Sequence, residues 1–255
     1  MATKSNTTWL SSLLWGIFAL GIMESMFIFL FRGDYLTFFS LGTLLGISMI
    51  VSAIKTYQPK IGYYHEIAPY LIHPVFLLIG LVSFLIFNEN LYLQQTAIIF
   101  TLLGYMILFS ENYSDFTHKA HDGVKFIIIL FLYDSVIEAI NYLGLNVILI
   151  PLFITLITLL LLLHMLWRLK AHAERYFLLS LLSAIAMGVV SYFLTSYYLF
   201  ASFLNLSVIL LTIYYVFWGI LHHLIERNLT MRILIEYLLI AGIIISMILG
   251  LLTGW

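Results

Sequence analysis

Long apolar runs separated by short polar stretches dominate the hydrophobicity pattern of the chain. An α-helix needs about 20 mostly apolar residues to cross the hydrocarbon core of a bilayer. The pattern predicts nine such helices, and therefore an all-α, polytopic integral membrane protein. The expected helices are Thr8–Phe31, Tyr35–Ile54, Tyr70–Phe87, Thr96–Phe109, Val124–Gly144, Val147–Trp167, Tyr176–Phe200, Phe203–His223 and Met231–Thr253.

The composition agrees with a membrane protein and excludes several kinds of site. Hydrophobic residues make up 63% of the chain and charged residues only 9%, against about 25% charged in soluble domains. No polar connection is long enough for a separate module, so residues 1–255 are expected to form a single transmembrane helical domain. The net charge of −1 gives no electrostatic basis for binding nucleic acid. Because cysteine is absent, disulfides, thiolate metal ligands and cysteine nucleophiles are excluded.

Lysine and arginine are unequally distributed between the two sides of the predicted bundle. With nine crossings, Arg32 falls on one side and the other cations fall on the opposite side. Short cytoplasmic loops are enriched in lysine and arginine, so the bias predicts a cytoplasmic N-terminus and an outside C-terminus in a cell membrane. The cations of the predicted cytoplasmic side are Lys4, Lys55, Lys60, Lys119, Lys125, Arg168, Lys170, Arg175, Arg227 and Arg232.

The fifth predicted helix carries acidic residues near its middle. Asp134, Glu138 and Asn141 are spaced by four and then three residues, which places them on one helical face. A charged side chain at the centre of a membrane helix costs about 2.5–3.5 kcal/mol on insertion scales, so this face should turn toward other helices or a wet cavity. Glu24 is a further acid, in the outer half of the first predicted helix. The acids predict either an ion-binding site or hydrogen-bonded packing, with Tyr133, Ser135, Asn141 or hydroxyls of the seventh helix as partners.

Histidine is abundant, and all eight histidines map to the predicted cytoplasmic half. The tightest groupings read HxxHD before the fifth helix and HHxxE at the end of the eighth. Imidazole and carboxylate are ligands of non-haem iron and zinc, and carboxylates commonly orient the ligating rings. The candidate metal ligands are His118, His121, His222 and His223, with His73 and His164 as further candidates, and the candidate catalytic acids are Asp122 and Glu226.

A histidine-rich face at the membrane boundary resembles the general plan of membrane desaturases and hydroxylases, in which iron meets lipid tails at the interface. The resemblance covers ligand type and placement alone. The spaced histidine boxes of that family, HxxxH followed by two HxxHH, are absent, so no residue is assigned a role from it. An alternative needs no metal: the predicted cytoplasmic loops are the longer ones and hold most polar residues, so histidines would concentrate there anyway.

Three functions are consistent with the sequence. The first is a metal-dependent enzyme, a non-haem oxidoreductase with iron or zinc, acting on a lipid or isoprenoid at the cytoplasmic interface. The second is a small proton- or cation-coupled transporter in which Glu24, Asp134 and Glu138 bind the coupling ion. The third is a non-catalytic subunit of a membrane complex. The abundance of histidine favours the first. The expected partners are membrane lipid and either a second copy of the chain or another membrane subunit.

Overall fold

A computed structural model describes the backbone of residues 4–61, 68–108, 115–168, 173–197 and 203–253, and the side chains of residues 14–55, 71–108, 123–166, 176–197 and 204–250. Within these ranges every regular element is an α-helix, which confirms the predicted all-helical class for the described part. The nine described helices are α1 Lys4–Phe31, α2 Tyr35–Ile61, α3 Ala68–Phe87, α4 Leu91–Leu108, α5 Asp115–Tyr142, α6 Leu149–Arg168, α7 Ala173–Tyr197, α8 Phe203–Ile225 and α9 Met231–Thr253.

Seven of the described helices contain a stretch long and apolar enough to cross a membrane, as expected of a multi-pass protein. The apolar part of α3, Leu71–Phe87, is shorter. α5 is outside the set because Lys125, Asp134 and Glu138 interrupt its apolar sequence. The seven stretches are Leu14–Phe31, Tyr35–Lys55, Leu91–Leu108, Leu149–Leu166, Tyr176–Tyr197, Leu204–Ile225 and Met231–Gly250.

The chain divides into two compact units, Met1–Leu132 and Tyr133–Trp255, with the boundary inside α5. In the first unit α1 packs on α2, α2 on α3 and α3 on α4, and α4 returns to contact α1. These four helices therefore close into a bundle. The first half of α5 belongs to the same unit, where the ring of Phe131 lies 5.0 Å from that of Phe84 in α3, centroid to centroid.

Two glycines of α2 allow close contact with neighbouring helices. A Cβ at Gly46 would lie 2.8 Å from Cδ2 of Leu78 in α3, and a Cβ at Gly42 would lie 3.3 Å from Cε of Met26 in α1. A larger side chain at Gly46 would therefore displace α3 or the leucine. The spacing of four residues is the small-xxx-small pattern found where membrane helices approach closely, and here it serves packing.

The turn between α1 and α2 is fixed by local polar groups. Gly33 has a φ of 74°, the left-handed conformation that commonly ends a helix. Asp34 caps α2, because its Oδ2 accepts a hydrogen bond from Thr37 Oγ1 at 2.7 Å and its Oδ1 accepts one from Thr37 N at 3.1 Å. The hydroxyl bond, followed by the backbone bond, holds the pKa of the Asp34 carboxyl below its usual value.

Two predicted helix starts are wrong. α4 begins at Leu91 rather than Thr96, because Asn90 Oδ1 accepts hydrogen bonds from two N–H groups of the first turn, at 3.0 and 3.3 Å. Gln94 supports the same turn by donating to two carbonyl groups at the end of α3, at 2.6 and 2.8 Å. α5 begins at Asp115, within the polar stretch that the sequence assigns to a loop. Lys125, counted above among the cations of the predicted cytoplasmic side, lies within α5 and is buried, at 4% exposure.

In the second unit α6 packs on α7, α7 on α8 and α8 on α9. The α6–α7 contact is close because Gly188 lies directly against Thr155 Oγ1 and the carbonyl oxygen of Pro151. The α8–α9 contact is close because Gly219 lies against the ring of Tyr237. Glycine thus allows close helix spacing at two of these three helix–helix contacts, α6–α7 and α8–α9.

Candidate functional site

Two carboxyl groups lie on consecutive turns of α5 in the second unit. The side chain of Asp134 is completely buried, at 0% exposure. Glu138 is half-buried, and its Oε2 atom is not exposed. Tyr133 and Ile137 on the same part of the helix are also buried. The inward orientation predicted from the four-residue spacing is therefore confirmed for Asp134, while Glu138 has one carboxyl oxygen buried.

A buried hydroxyl of α8 contacts the first of these acids. Ser207 Oγ donates a hydrogen bond to Asp134 Oδ1 at 3.2 Å, and Ser207 is itself 0% exposed. The partners expected from the sequence were Tyr133, Ser135, Asn141 or hydroxyls of the seventh helix. A serine hydroxyl can both donate and accept a hydrogen bond, so Ser207 can bond this carboxyl in its charged and in its protonated form. The pair can therefore keep a hydrogen bond while a proton binds or leaves.

A second buried hydroxyl pair joins α5 to α6. Tyr133 Oη and Thr158 Oγ1 are 2.6 Å apart, and Thr158 Oγ1 also lies 2.6 Å from the carbonyl oxygen of Ile154. The threonine has one proton, which it donates to that carbonyl, so Tyr133 donates to Thr158. Tyr133 and Thr158 are both 0% exposed, and this chain of hydrogen bonds holds α5 against α6 next to Asp134.

Asn141, the third polar residue predicted on this face, bonds its own helix. Its Nδ2 donates to the carbonyl oxygen of Ile137 at 2.7 Å. α5 ends at Tyr142, the next residue, and Gly144 follows with a φ of 61°. The asparagine thus bonds a carbonyl group of its own helix, and the inward-facing acids remain the chemically distinctive part of α5.

Glu24 lies in the first unit, where an amide of α4 faces it. Gln95 Nε2 is 3.4 Å from Glu24 Oε2, a long hydrogen bond, and Glu24 is half-buried. The predicted ion-binding acids therefore belong to separate parts of the fold: Glu24 to the first unit, and Asp134 and Glu138 to the second.

The paired histidines at the end of α8 form a polar network. His222 Nε2 lies 3.1 Å from Glu226 Oε1, and His223 Nδ1 lies 2.7 Å from Asn228 Oδ1. Asn228 Nδ2 donates to Glu226 Oε2 at 3.0 Å. Because Oδ1 of this asparagine is an acceptor, Nδ1 of His223 carries the proton. The network ties the last turn of α8 to the residues that follow it.

Aromatic rings surround the same histidines. The ring of His222 stacks on Trp218 at 5.2 Å and 20°, and the ring of His223 lies 5.9 Å from that of Tyr237 in α9. The two imidazoles are nearly perpendicular, at 79°. Stacking and hydrogen bonding thus give each histidine its own set of neighbours.

The predicted metal site stays a prediction. Among the side chains that the structure describes, no group of three or more histidine, aspartate or glutamate residues could hold a metal ion. His73 and His164 are buried, at 6% and 4% exposure, and belong to different units. His118, His121 and Asp122 have helical backbone as part of α5 rather than the predicted loop, and their side chains lie outside the described residues.

Comparisons of the chain with protein-family models, with curated proteins and with solved structures gave no match.

Proposed function

We propose that this protein is a small proton- or cation-coupled membrane transporter, with Asp134 and Glu138 in its coupling site. The observation that carries the proposal is the complete burial of Asp134 in contact with the buried hydroxyl of Ser207. Ionisable groups inside membrane helices are rare and commonly belong to ion or proton pathways. Hydrogen bonds between membrane helices average only about 0.6 kcal/mol, so packing alone is a small return for burying a carboxyl group.

The arrangement suggests how a coupling ion could be held. Asp134 would take up a proton or small cation while Ser207 reorients its hydroxyl to keep the hydrogen bond. Glu138 lies four residues farther along α5, a rise of about 6 Å, and would be the next acceptor on the same face. A bridging water can connect carboxyl groups at such a separation. Glu24, with Gln95, is proposed as a further ion-binding acid within the first unit.

The proposal includes a membrane topology. Nine crossings would place the N-terminus in the cytoplasm and the C-terminus outside, in a cell membrane. The strong bias of lysine and arginine to one side supports this orientation. A homo-oligomer or a complex with another membrane subunit is compatible with the proposal.

Chemical labelling tests the coupling site without knowledge of the substrate. Dicyclohexylcarbodiimide is an apolar reagent that reacts with protonated carboxyl groups. We expect peptide mass spectrometry of the protein in liposomes to find the label at Asp134 or Glu138, with labelling that falls as the pH is raised. The exposed Asp34 is the internal control and should stay unlabelled. Absence of label from both α5 acids at every pH would contradict the proposal.

Flux measurements test coupling directly. Asp134→Asn keeps the shape of the side chain and removes its proton-binding group, so pH-driven flux into liposomes should be abolished. Ser207→Ala keeps the acid and should shift the pH dependence of flux without abolishing it. Asp34→Asn, the same chemical change at an exposed helix cap, should leave flux unchanged. Unaltered flux in Asp134→Asn would refute the coupling role.

A metal-dependent enzyme acting on a lipid or isoprenoid is the second candidate function. The buried imidazoles of His73 and His164 and the His222–Glu226 pair are the observations in its favour. Elemental analysis of the purified protein should then find iron or zinc at a stoichiometric level. A metal-free protein would rule out this enzyme and leave the transporter, or a non-catalytic subunit of a membrane complex.

A further inference from the structure

A pocket of about 450 Å³ lies in the second unit, where α7 begins and α8 ends. Its volume is typical of small-molecule sites, which span about 300–1,000 Å³. Three leucines provide an apolar wall, and one arginine and one tyrosine supply the polar atoms. The lining residues are Tyr176, Leu179, Leu224, Arg227 and Leu229.

The arginine of this pocket has an unusual backbone conformation. Arg227 follows α8 with a φ of 58°, in the left-handed region that glycine normally occupies at this position. Its N–H donates to the carbonyl oxygen of Leu224 at 3.3 Å, and Asn228 N donates to that of His223 at 3.1 Å, which closes the turn. Strained residues of this kind tend to occur at functional sites, and here the strain places a guanidinium group beside an apolar wall.

The charge of Arg227 is not neutralised within the described part of the chain. No described residue gives its guanidinium group a hydrogen bond or ion pair. The neighbouring acid, Glu226, already contacts His222 at 3.1 Å and Asn228 at 3.0 Å. Arg232, five residues later in the chain, differs in this respect, because its Nε bonds Glu236 Oε1 at 3.0 Å. Arg227 is therefore suited to pair with an external anion.

The pocket lies at the ends of three candidate membrane-crossing stretches. One begins at Tyr176, a second ends at Ile225 and a third begins at Met231. In a bilayer crossed by these stretches, the pocket would lie at the level of the lipid headgroups, where a cation is solvated and leucines meet acyl chains. Arginine pairs strongly with phosphate, and basic pockets between membrane helices bind anionic headgroups.

We propose that this pocket binds one anionic phospholipid, with its phosphate on Arg227 and an acyl chain against Leu179, Leu224 and Leu229. The site is separate from the α5 acids, and it stands whether or not the protein is a transporter.

Native mass spectrometry in detergent tests the lipid site, with phosphatidylglycerol and phosphatidylcholine titrated separately. The wild type should retain phosphatidylglycerol about five-fold more tightly, because the choline cation offsets the phosphate charge of the other lipid. Arg227→Gln should remove the preference, and Arg227→Lys should keep part of it because lysine retains the charge but not the planar fork. Arg232→Gln, the matched control at a paired arginine, should keep the wild-type preference.

A second variant separates lipid binding from folding. Arg227→Gly suits the left-handed turn and removes the guanidinium group, so lipid preference should be lost while the unfolding temperature in detergent stays equal or rises. The proposal is overturned if Arg227→Gln and Arg227→Gly retain the preference. It is also overturned if Arg232→Gln loses as much of the phosphatidylglycerol preference, which would indicate an effect of general surface charge. Displacement of the lipid by equimolar inorganic phosphate would overturn it as well, because the site would then bind a free anion.

Discussion

Replacing Gly188 by alanine tests the close contact of α6 and α7. The added Cβ would overlap Thr155 Oγ1 and lie 2.9 Å from the carbonyl oxygen of Pro151. Thr155 can rotate away only by giving up its 2.7 Å hydrogen bond to that carbonyl, at a net cost of about 0.5–1.5 kcal/mol. The carbonyl belongs to the backbone and cannot rotate, so the helices must separate. Overpacking of this kind typically costs about 1–3 kcal/mol.

Gly242→Ala in α9 is the matched control, because among the described residues no atom beyond the neighbouring backbone of α9 lies within 4 Å of a Cβ built there. Alanine is favoured over glycine in a helix by about 0.5–1 kcal/mol at both positions, so the difference between the variants isolates the clash. Unfolding in mixed micelles titrated with sodium dodecyl sulfate, followed by tryptophan fluorescence, should show Gly188→Ala to be about 1–3 kcal/mol less stable than the control. Adding Thr155→Ala should recover part of this loss, since the Pro151 carbonyl remains. Equal stability of Gly188→Ala and Gly242→Ala would refute the close packing.

Two further predictions concern single hydrogen bonds. Tyr133→Phe removes the donor to Thr158 and should lower the free energy of unfolding by about 0.5–1.5 kcal/mol. Thr158→Val should cost less stability on the Tyr133→Phe background than it does in the wild type, and strictly additive losses would contradict the pairing. Asp34 has a lowered pKa in the folded protein, so its stabilisation is fully present above the usual pKa of the group, 3.8, and is lost as the pH falls through the lowered value. The unfolding temperature of the wild type should therefore exceed that of Asp34→Asn at neutral pH and approach it in acid, and a pH-independent difference would contradict this assignment.

Much of the helical fold could be predicted because lipid imposes a simple rule on length. A helix that crosses the hydrocarbon must satisfy its backbone internally and present a long apolar surface, so the apolar runs mark the helices directly. The starts of α4 and α5 were harder to predict. Gln94 reads as a loop residue in sequence, but its amide finds carbonyl partners at the end of α3. The charged residues from Asp115 onward have no apolar signal, although they continue a helix.

The site could be predicted only in part. The spacing of Asp134 and Glu138 reveals their shared face, because the helical repeat is local. Ser207 could not be identified as a partner, since it is 73 residues away and serine is common in this chain. Nothing in the sequence indicates that Arg227 takes a left-handed conformation, because glycine is the residue normally expected there. The His222–Glu226 contact follows a four-residue spacing and could be expected from it.

The sparse burial of α9 has a consequence for how the chain tolerates change. Only 6% of its stretch Met231–Gly250 is buried, and within the second unit α9 packs on α8. Exchange of one large aliphatic residue for another along most of this helix should be nearly neutral, since hydrocarbon solvates either. Substitution of Gly219 should not be tolerated in the same way, because any side chain there would overlap the ring of Tyr237. The contacts of Tyr237 with Gly219 and with the ring of His223 thus determine the rotation of α9 about its own axis.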